Sequence, residues 1–459
     1  MITPSPHRLL ALYLVFASTT LVPSPYAKPQ VLARPGWAGS GITTDVWWKH
    51  PVVYEVNPIN FNPTGGSGLQ GVTQRLDYIH SLGVDALLLT TLQPDPSHAQ
   101  SLDPAYGTLD DLDDLIHEAS RRNIRVLLDL DPKIPAADLP NVARFWLNRG
   151  IAGFHVIGAT TEAHGQATEL RKATSSYLGQ RILIGDVDPT LPPSPQQRTY
   201  KVPDTQTTQL LLDASLGAVT PLNPAPIRAA IQSTENIALA GHAIPLLATD
   251  GPGFLRSMSR YADGNHSLDI AKLLATILFT TRAQPLLSYG QELGVTAPQS
   301  SEATPATPII IWEAPPPPPK GQPTPTEPET TPPNPTPNAA LDEADPNSLL
   351  NWYRRLIEIH HSNATLNSGE YLTINRDDQN VLIMIRKPKD VSPADPILVI
   401  LCNLSGQPQH LSIKTDTIKL HLRGSFLRTV LRSDNGMGTM HLESMTLPPY
   451  IAYIGELRF

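Results

Sequence analysis

From residue 46 onward, the chain alternates short apolar runs with longer segments in which apolar residues recur at helical spacing. The run 86–90, Ala-Leu-Leu-Leu-Thr, has no polar face, which is typical of a parallel strand that is covered on both sides. Segment 69–82 has the helical spacing and is followed by Gly83, a residue that commonly ends helices. Over the whole chain the pattern predicts eight strands separated by helices, at 52–56, 86–90, 124–130, 153–157, 182–186, 210–213, 244–250 and 285–289.

Eight strands that alternate with helices predict an α/β fold of the (β/α)8 TIM-barrel type, which we assign to residues 46–298 and 347–365. Thr108 is expected to cap one of the helices, and Ser348 to cap the eighth. A doubly wound open sheet is the alternative. It seldom needs eight units, and no glycine-rich phosphate turn follows the first strand, so the barrel is favoured.

Two further regions follow or interrupt the barrel. Residues 299–346 hold 15 of the chain's 48 prolines and show no packing pattern, so we expect an extended or disordered insertion with order resuming at Asn347. Lys320 is the only basic residue in it, which favours a spacer over a PxxP-type ligand. Residues 366–459 are strand-like with a turn about every ten residues, and they predict a C-terminal all-β sandwich.

The composition argues against several classes of function. The net charge is −8, with 42 acidic against 34 basic residues, which argues against a nucleic-acid partner. The single cysteine, Cys402, excludes a disulfide framework and a thiolate zinc site. No H-E-x-x-H spacing occurs, and the adjacent His360 and His361 would diverge on a helix, so neither a metal site nor a cofactor is expected.

The N-terminus indicates export. Arg8 precedes an apolar core at 9–17, and small and turn-forming residues lead to Ala27, so residues 1–27 are predicted to be a signal peptide. The expected location is the periplasm or the extracellular space. Because proline stands where a small residue is preferred at the cleavage site, an uncleaved N-terminal membrane anchor is the alternative.

Several segments resemble the α-amylase family, glycoside hydrolase family 13, in the same order along the chain. They are the opening strand at 47–56 (WWKHPVVYEV), the first helix at 69–79, the entry to the next helix at 102–115, the YGQELG stretch at 289–294 and the helix at 346–356. The resemblance covers about residues 46–459, and it implies a barrel with a β-sandwich behind it and an α-glucan or α-glucoside substrate. The extra domain after the third strand is missing, because that loop is reduced to about 132–139.

The resemblance also implies where catalytic groups would stand. Retaining glycosidases need a carboxylate nucleophile and a second carboxyl as acid/base. The position that matches the nucleophile holds Ile157, which cannot attack an anomeric carbon, and the acid/base position holds Asp186 rather than glutamate. Asp250 matches the family's third acid. Asp186 and Asp250 are therefore the remaining catalytic candidates.

Two further residues are candidates for binding substrate. Asp129 matches the family's structural aspartate after strand three, and His155 stands where the family has an arginine. Each also has a simpler interpretation, since Asp129 could order neighbouring loops and His155 could be a hydrogen-bonded core histidine. The loop at 93–100, which carries sugar-stacking aromatics in the family, is short here.

These observations favour a non-catalytic member that binds a carbohydrate or acts as an interaction surface, similar to the heavy chains of heteromeric amino-acid transporters. The alternative is an active α-glycoside hydrolase or transferase that uses Asp186 and Asp250, with water as the attacking group. A third hypothesis is a structural envelope protein. A protein partner would use the barrel face or the proline-rich insertion.

Overall fold

The structure is a computed structural model, and it describes residues 46–62, 68–158, 161–187, 207–240, 243–251, 254–296, 310–314, 337–389 and 395–459. The chain divides into two units, 1–45 and 46–459, and all described residues belong to the second. The predicted signal peptide at 1–27 lies outside the described residues. Within the described part, no helix is both long and apolar enough to span a bilayer.

The predicted barrel is confirmed: eight strands form a closed parallel sheet in sequence order. The first strand pairs with both the second and the eighth, which closes the ring. The strands are β1 (Val53–Val56), β2 (Ala86–Leu89), β3 (Arg125–Leu130), β4 (Gly153–Val156), β5 (Ile182–Asp186), β6 (Leu210–Asp213), β7 (Ile244–Leu247) and β8 (Gln284–Ser288).

Each barrel strand is buried on both faces, which explains its continuous apolar sequence. Alternate residues such as Val53, Leu127 and Ile184 point into the barrel and form an inner cluster. The residues between them, such as Leu128 and Leu183, pack outward in a larger core that includes the surrounding helices. The inward positions at the carboxyl ends of the strands therefore line the mouth of the barrel.

Helices surround the barrel and connect its strands. They are α1 (Pro58–Phe61), α2 (Leu69–Gln74), α3 (Leu76–Leu82), α4 (Leu109–Arg121), α5 (Leu139–Arg149), α6 (Thr161–Thr174), α7 (Pro224–Ala240), α8 (Ser257–Arg260), α9 (Ser267–Thr280), α10 (Ala339–Ala344), α11 (Leu349–Ser362) and α12 (Ala364–Ser368). The caps predicted at Thr108 and Ser348 are present, and Thr108 forms a capping box with Asp111. The helix predicted over 69–82 is instead two helices, because the backbone leaves helical geometry at Arg75.

The expectation that 299–346 has no packing pattern is wrong for its described parts. Ile310 and Trp312 are buried in the barrel core, and the Trp312 ring lies edge-on to Phe61 and Tyr78 at 5.0 Å each. Order also resumes before Asn347, because α10 precedes it and Ile311 pairs with Asn338 in a β-bridge. Apolar residues interrupt the proline pattern here, and burial of Ile310 and Trp312 holds this stretch on the barrel.

The C-terminal domain is antiparallel, as predicted, and consists of a six-stranded sheet in the order β14-β13-β16-β11-β10-β9 and a two-stranded sheet of β12 and β15. Residues that alternate along β10 face the barrel (Leu382, Met384) or the second sheet (Ile383, Ile385). The elements are β9 (Glu370–Ile374), β10 (Val381–Lys387), β11 (Leu398–Asn403), β12 (Gln409–Leu411), α13 (Lys414–Lys419), β13 (Phe426–Arg432), β14 (Thr439–His441), β15 (Met445–Leu447) and β16 (Ala452–Arg458).

A fully buried arginine joins this domain to the barrel. The Arg386 guanidinium on β10 donates to the carbonyl oxygens of Thr280 and Thr281 at the end of α9. It also donates to three carbonyl oxygens around α12, at distances of 2.8–3.1 Å. Because these carbonyls would otherwise be buried and unpaired, the arginine fixes the two domains against each other.

Candidate active site

Three charged side chains form a hydrogen-bonded chain at the mouth of the barrel. Nδ1 of His155 lies 2.8 Å from Oδ1 of Asp129, and Nε2 lies 2.9 Å from Oδ1 of Asp186. Asp129 and His155 are directly paired in the register of β3 and β4, and Asp186 ends β5. The side chains of Asp129 and His155 are each 7% exposed and that of Asp186 is 22% exposed, so water reaches mainly the Asp186 end.

The geometry favours a doubly protonated His155. Both ring nitrogens lie within hydrogen-bond distance of a carboxyl oxygen, and an ionised carboxylate can only accept, so two ionised partners require a proton on both nitrogens. Burial disfavours the charged ring, but the neighbouring Asp129 and Asp186 outweigh burial and raise the pKa of His155 well above its usual range. The histidine is therefore an imidazolium that bridges two carboxylates.

Asp186 is held on its second oxygen as well. Oδ2 accepts a hydrogen bond of 2.6 Å from the backbone N–H of Gly158. Gly158 has a φ of +91°, a left-handed conformation that side-chain-bearing residues rarely adopt, which explains glycine at this position. Burial alone would raise the pKa of Asp186, but the His155 charge, its hydrogen bond and the Gly158 N–H lower it. Asp186 is thus an anion with both oxygens engaged.

Ile157 directly precedes Gly158 at the end of β4 and is half-buried. The position that the resemblance assigns to the nucleophile therefore offers a hydrocarbon side chain two residues after His155. A branched alkyl group can neither form a glycosyl intermediate nor stabilise an oxocarbenium ion. The peptide after it, by contrast, supplies the N–H that holds Asp186.

Asp250 belongs to a different set of contacts. Its Oδ1 accepts from the backbone N–H of Ser257 at 2.9 Å, and its Oδ2 accepts from the Ser257 hydroxyl at 3.2 Å. Burial raises the pKa of Asp250, although Arg256 nearby lowers it. Among the residues that the structure describes, no hydrogen bond or ion pair joins Asp250 to Asp186. The two acids predicted to work together therefore have separate structural partners.

Sequence reasoning missed Glu55, the inward-facing acid of β1. Its Oε2 accepts from the Ser288 hydroxyl at 3.0 Å, and burial together with the charge of Asp129 raises the pKa of Glu55 to about 7. One signal could have identified it: Glu55 is the only charged residue in β1, and it shares the inward parity of Val53. The mouth therefore carries a third acid beside Asp129 and Asp186.

Arg256 is a second residue that sequence reasoning missed. Its guanidinium donates to the Tyr289 carbonyl oxygen at 2.8 Å and lies 4.9 Å from the centre of the Tyr289 ring. It also lowers the pKa values of Glu55 and Asp250.

In the described ranges, no group of three or more His, Cys, Asp and Glu side chains is arranged to hold a metal ion.

This arrangement restricts proton transfer. A general acid must be protonated before it acts, whereas Asp186 is ionised and held by His155 and Gly158. Asp250 is 2% exposed, and each of its oxygens accepts a hydrogen bond from Ser257. The two acids that the sequence singled out are thus occupied within the protein.

A barrel with acids at the carboxyl ends of its strands and an antiparallel β-domain behind it has the architecture of the glycoside hydrolase-like proteins. Comparison with known families agrees, since the family described as alpha amylase, catalytic domain, matches residues 53–133. Residues 53–133, less than a fifth of the chain, are thus similar to the catalytic domain of the α-amylase family.

Individual relatives differ in how much of this chain they match and at what sequence identity. The trehalose-6-phosphate hydrolase of Escherichia coli is 44% identical over 95 residues, which is 18% of this chain and 17% of that enzyme. An amino acid transporter heavy chain of Oryctolagus cuniculus is 24% identical over 354 residues, which is 71% of this chain and 61% of the relative. The chain thus spans only part of the length of both relatives.

Solved structures support the fold. The isomaltulose synthase of Erwinia rhapontici superimposes with a TM-score of 0.72 at 17% sequence identity. The superposition covers 90% of this chain and all of that chain. At this identity the similarity concerns the architecture.

Proposed function

We propose that this protein is a non-catalytic member of the α-amylase family that acts as a carbohydrate-binding or protein-interaction module. The observation that carries the proposal is the closed chain Asp129–His155–Asp186 beside Ile157. A glycosidase keeps its acid/base group free to exchange a proton with the substrate. Here the corresponding carboxyl is neutralised by an internal cation.

The extent of similarity to the relatives supports the same proposal. The 44% identity to a hydrolase is confined to 95 residues, whereas the sequence similarity to an amino acid transporter heavy chain, at 24% identity, extends over 71% of the chain. That relative is named as a transporter subunit and not as a hydrolase. A barrel retained without its catalytic groups is consistent with a role in binding or assembly.

An active α-glycoside hydrolase or transferase is the second candidate. An inverting reaction would use Asp186 and Asp250 on either side of a water molecule, with carboxyl groups about 6.5–9.5 Å apart. It would require Asp186 to leave His155 and gain a proton, or Asp250 to leave Ser257. The partial exposure of the Asp186 side chain is the observation that keeps this candidate open.

Turnover assays separate the two candidates. The protein is incubated with maltooligosaccharides, starch, sucrose, trehalose, trehalose 6-phosphate and aryl α-glucosides, next to the variants Asp186→Ala and Asp250→Ala. We expect product formation at the same background rate in all three proteins. Turnover that is present in the wild type and lost in either variant would overturn the non-catalytic proposal. A sugar that raises the melting temperature without being cleaved would identify the ligand. If that sugar also raises the melting temperature of Asp186→Ala, its binding does not need the Asp186 carboxylate.

The location and partners follow the same proposal. We propose that residues 1–27 direct export to the periplasm or the extracellular space, and that an oligosaccharide or a protein is bound through the barrel face or the proline-rich insertion. N-terminal sequencing of protein recovered from the producing cell tests the export step. A mature N-terminus after Ala27 supports cleavage, whereas an intact Met1 in a membrane fraction supports the anchor.

A further inference from the structure

Two arginines lie at the end of the barrel opposite the mouth. Arg125 begins β3, and Arg181 directly precedes β5. Leu127 pairs with Gly153, which in turn pairs with Ile182, so the two arginines stand at nearly the same height with β4 between them. Two strand spacings place their backbones about 10 Å apart, a distance that two long side chains can bridge.

Trp47 connects the two arginines. The Arg125 guanidinium lies 6.0 Å from the centre of the Trp47 ring, within cation–π range. The indole N–H of Trp47 donates to the carbonyl oxygen of Gln180, the residue before Arg181, at 3.2 Å. Gly179 and Gln180 both have positive φ values, +88° and +58°, so a tight turn presents that carbonyl. Trp47 therefore contacts both the Arg125 guanidinium and the loop that carries Arg181.

Neither guanidinium has an anionic partner within the described residues, where no side-chain hydrogen bond or ion pair is present for Arg125 or Arg181. The Nε atom of Arg181 is buried without a hydrogen-bond partner. Asp85 is close in the backbone, since its carbonyl accepts from the Arg125 N–H, but its carboxylate binds His361 and the Val52 N–H instead. Burial lowers the pKa of Arg181, and the charge of Arg125 lowers it further.

Two half-buried like charges without a counter-ion cost free energy, and an oxyanion bound between them would remove that cost. Guanidinium groups present a planar fork of donors that matches the oxygens of phosphate. We propose that Arg125 and Arg181, positioned by Trp47, form a binding site for the phosphate oxyanion of a phosphate monoester. Its two negative charges match the two guanidinium groups, and the buried Nε of Arg181 supplies a donor that needs an acceptor.

The site is tested with the full chain and inorganic phosphate, titrated calorimetrically against chloride at constant ionic strength. We expect saturable phosphate binding, and we expect Arg125→Gln and Arg181→Gln each to weaken it about tenfold or more, since each removes charge-assisted hydrogen bonds. Arg181→Lys keeps the charge but loses the fork, and it should bind phosphate with intermediate affinity. Arg144→Gln is the matched control, because Arg144 is exposed and its one hydrogen bond is a 3.5 Å contact with Asn141.

Thermal unfolding of each variant without phosphate checks the fold, and removal of one of two like charges should leave the melting temperature unchanged or raised. Absence of phosphate binding, or binding that Arg125→Gln and Arg181→Gln leave intact, would overturn the proposal. Two further titrations locate the phosphate, with glycerol 3-phosphate and with phosphatidylcholine vesicles that contain phosphatidic acid. Arginine-dependent binding of the soluble ester alone assigns a free ligand, and arginine-dependent binding to vesicles assigns a lipid headgroup. Either result supports the site, and failure of both contradicts it.

Discussion

Nε2 of His155 lies 2.9 Å from Oδ1 of Asp186, across the ends of β4 and β5. This pair converts the carboxyl at the predicted acid/base position into a fixed anion. The other ring nitrogen of His155 binds Asp129, so one imidazolium is hydrogen-bonded to two acids. The resemblance to a hydrolase is strong in the fold, but the charges at the mouth of the barrel are used for internal structure.

Replacement of His155 by glutamine tests how much the barrel depends on this cation. In His155→Gln two buried carboxylates would lie close together without the positive charge between them, and removal of one partner of a buried ion pair typically costs about 3–5 kcal/mol. The free energy of unfolding in urea should fall by about that amount at pH 7. His98→Gln is the control, because His98 pairs with Asp95 at the surface. A loss no larger than that of the control would show that the bridge is not important for stability.

Glu55 predicts a pH dependence of stability. Its pKa is about 7 in the folded protein against an ordinary value of 4.5, because burial and Asp129 disfavour the charged form. The unfolded chain therefore releases this proton at lower pH, so the free energy of unfolding falls as the pH rises from about 4.5 to about 7, by about 3 kcal/mol from this group. In Glu55→Gln this decrease in the free energy of unfolding disappears, whereas the control Glu358→Gln, at an exposed residue, retains it. Parallel pH profiles for the wild type and Glu55→Gln would contradict the assignment.

Restoring the family's two carboxyl residues should not restore activity. In the double variant Ile157→Asp, Asp186→Glu we expect no hydrolysis of aryl α-glucosides above background. His155 remains between the new glutamate and Asp129, and the loops at 93–100 and 132–139 are too short to build a sugar site. Each single variant serves as a control, and circular dichroism shows whether the double variant folds. Turnover by a folded double variant would show that the rest of the site is still competent.

Trp312 predicts how the proline-rich insertion is held on the barrel. Its indole N–H donates to the Phe61 carbonyl at 3.2 Å, its ring contacts Phe61 and Tyr78, and the Arg75 guanidinium lies 4.8 Å from the ring centre. Trp312→Ala should lower the free energy of unfolding by about 3 kcal/mol or more, as for other large buried aromatics. Ile311→Ala, at a side chain 40% exposed, should cost less than about 1 kcal/mol. Equal losses in the two variants would indicate that the tryptophan does not anchor the segment.

The sequence predicted the architecture well because the signals for it are local. The barrel strands are largely apolar runs, and the caps at Thr108 and Ser348 are visible as single residues before helices. The break at Arg75 was missed, because the apolar residues on both sides of it keep helical spacing. Trp312 itself was hidden in a stretch dominated by proline.

The site was predicted only in part. Asp129, His155 and Asp186 were identified singly, but their connection depends on the register of β3, β4 and β5, which no local pattern reveals. Glu55 was assigned to a strand but not to the site, because its partner Ser288 lies more than 200 residues away. The strand order and register of a closed barrel bring distant charged residues together. The sequence shows these residues but not which of them are in contact.

The protonation states of Asp186 and His155 are the most direct test of the central claim, that the residue at the acid/base position is a fixed anion. They can be measured by NMR with carbon-13 in the aspartate carboxyl groups and nitrogen-15 in the imidazoles, with signals assigned by comparison with Asp186→Asn and His155→Gln. We predict that Asp186 is ionised at neutral pH and titrates below the ordinary aspartate range, and that both nitrogens of His155 carry protons at pH 7. A protonated Asp186 beside a neutral His155 at pH 7 would contradict this claim and restore Asp186 as a candidate general acid.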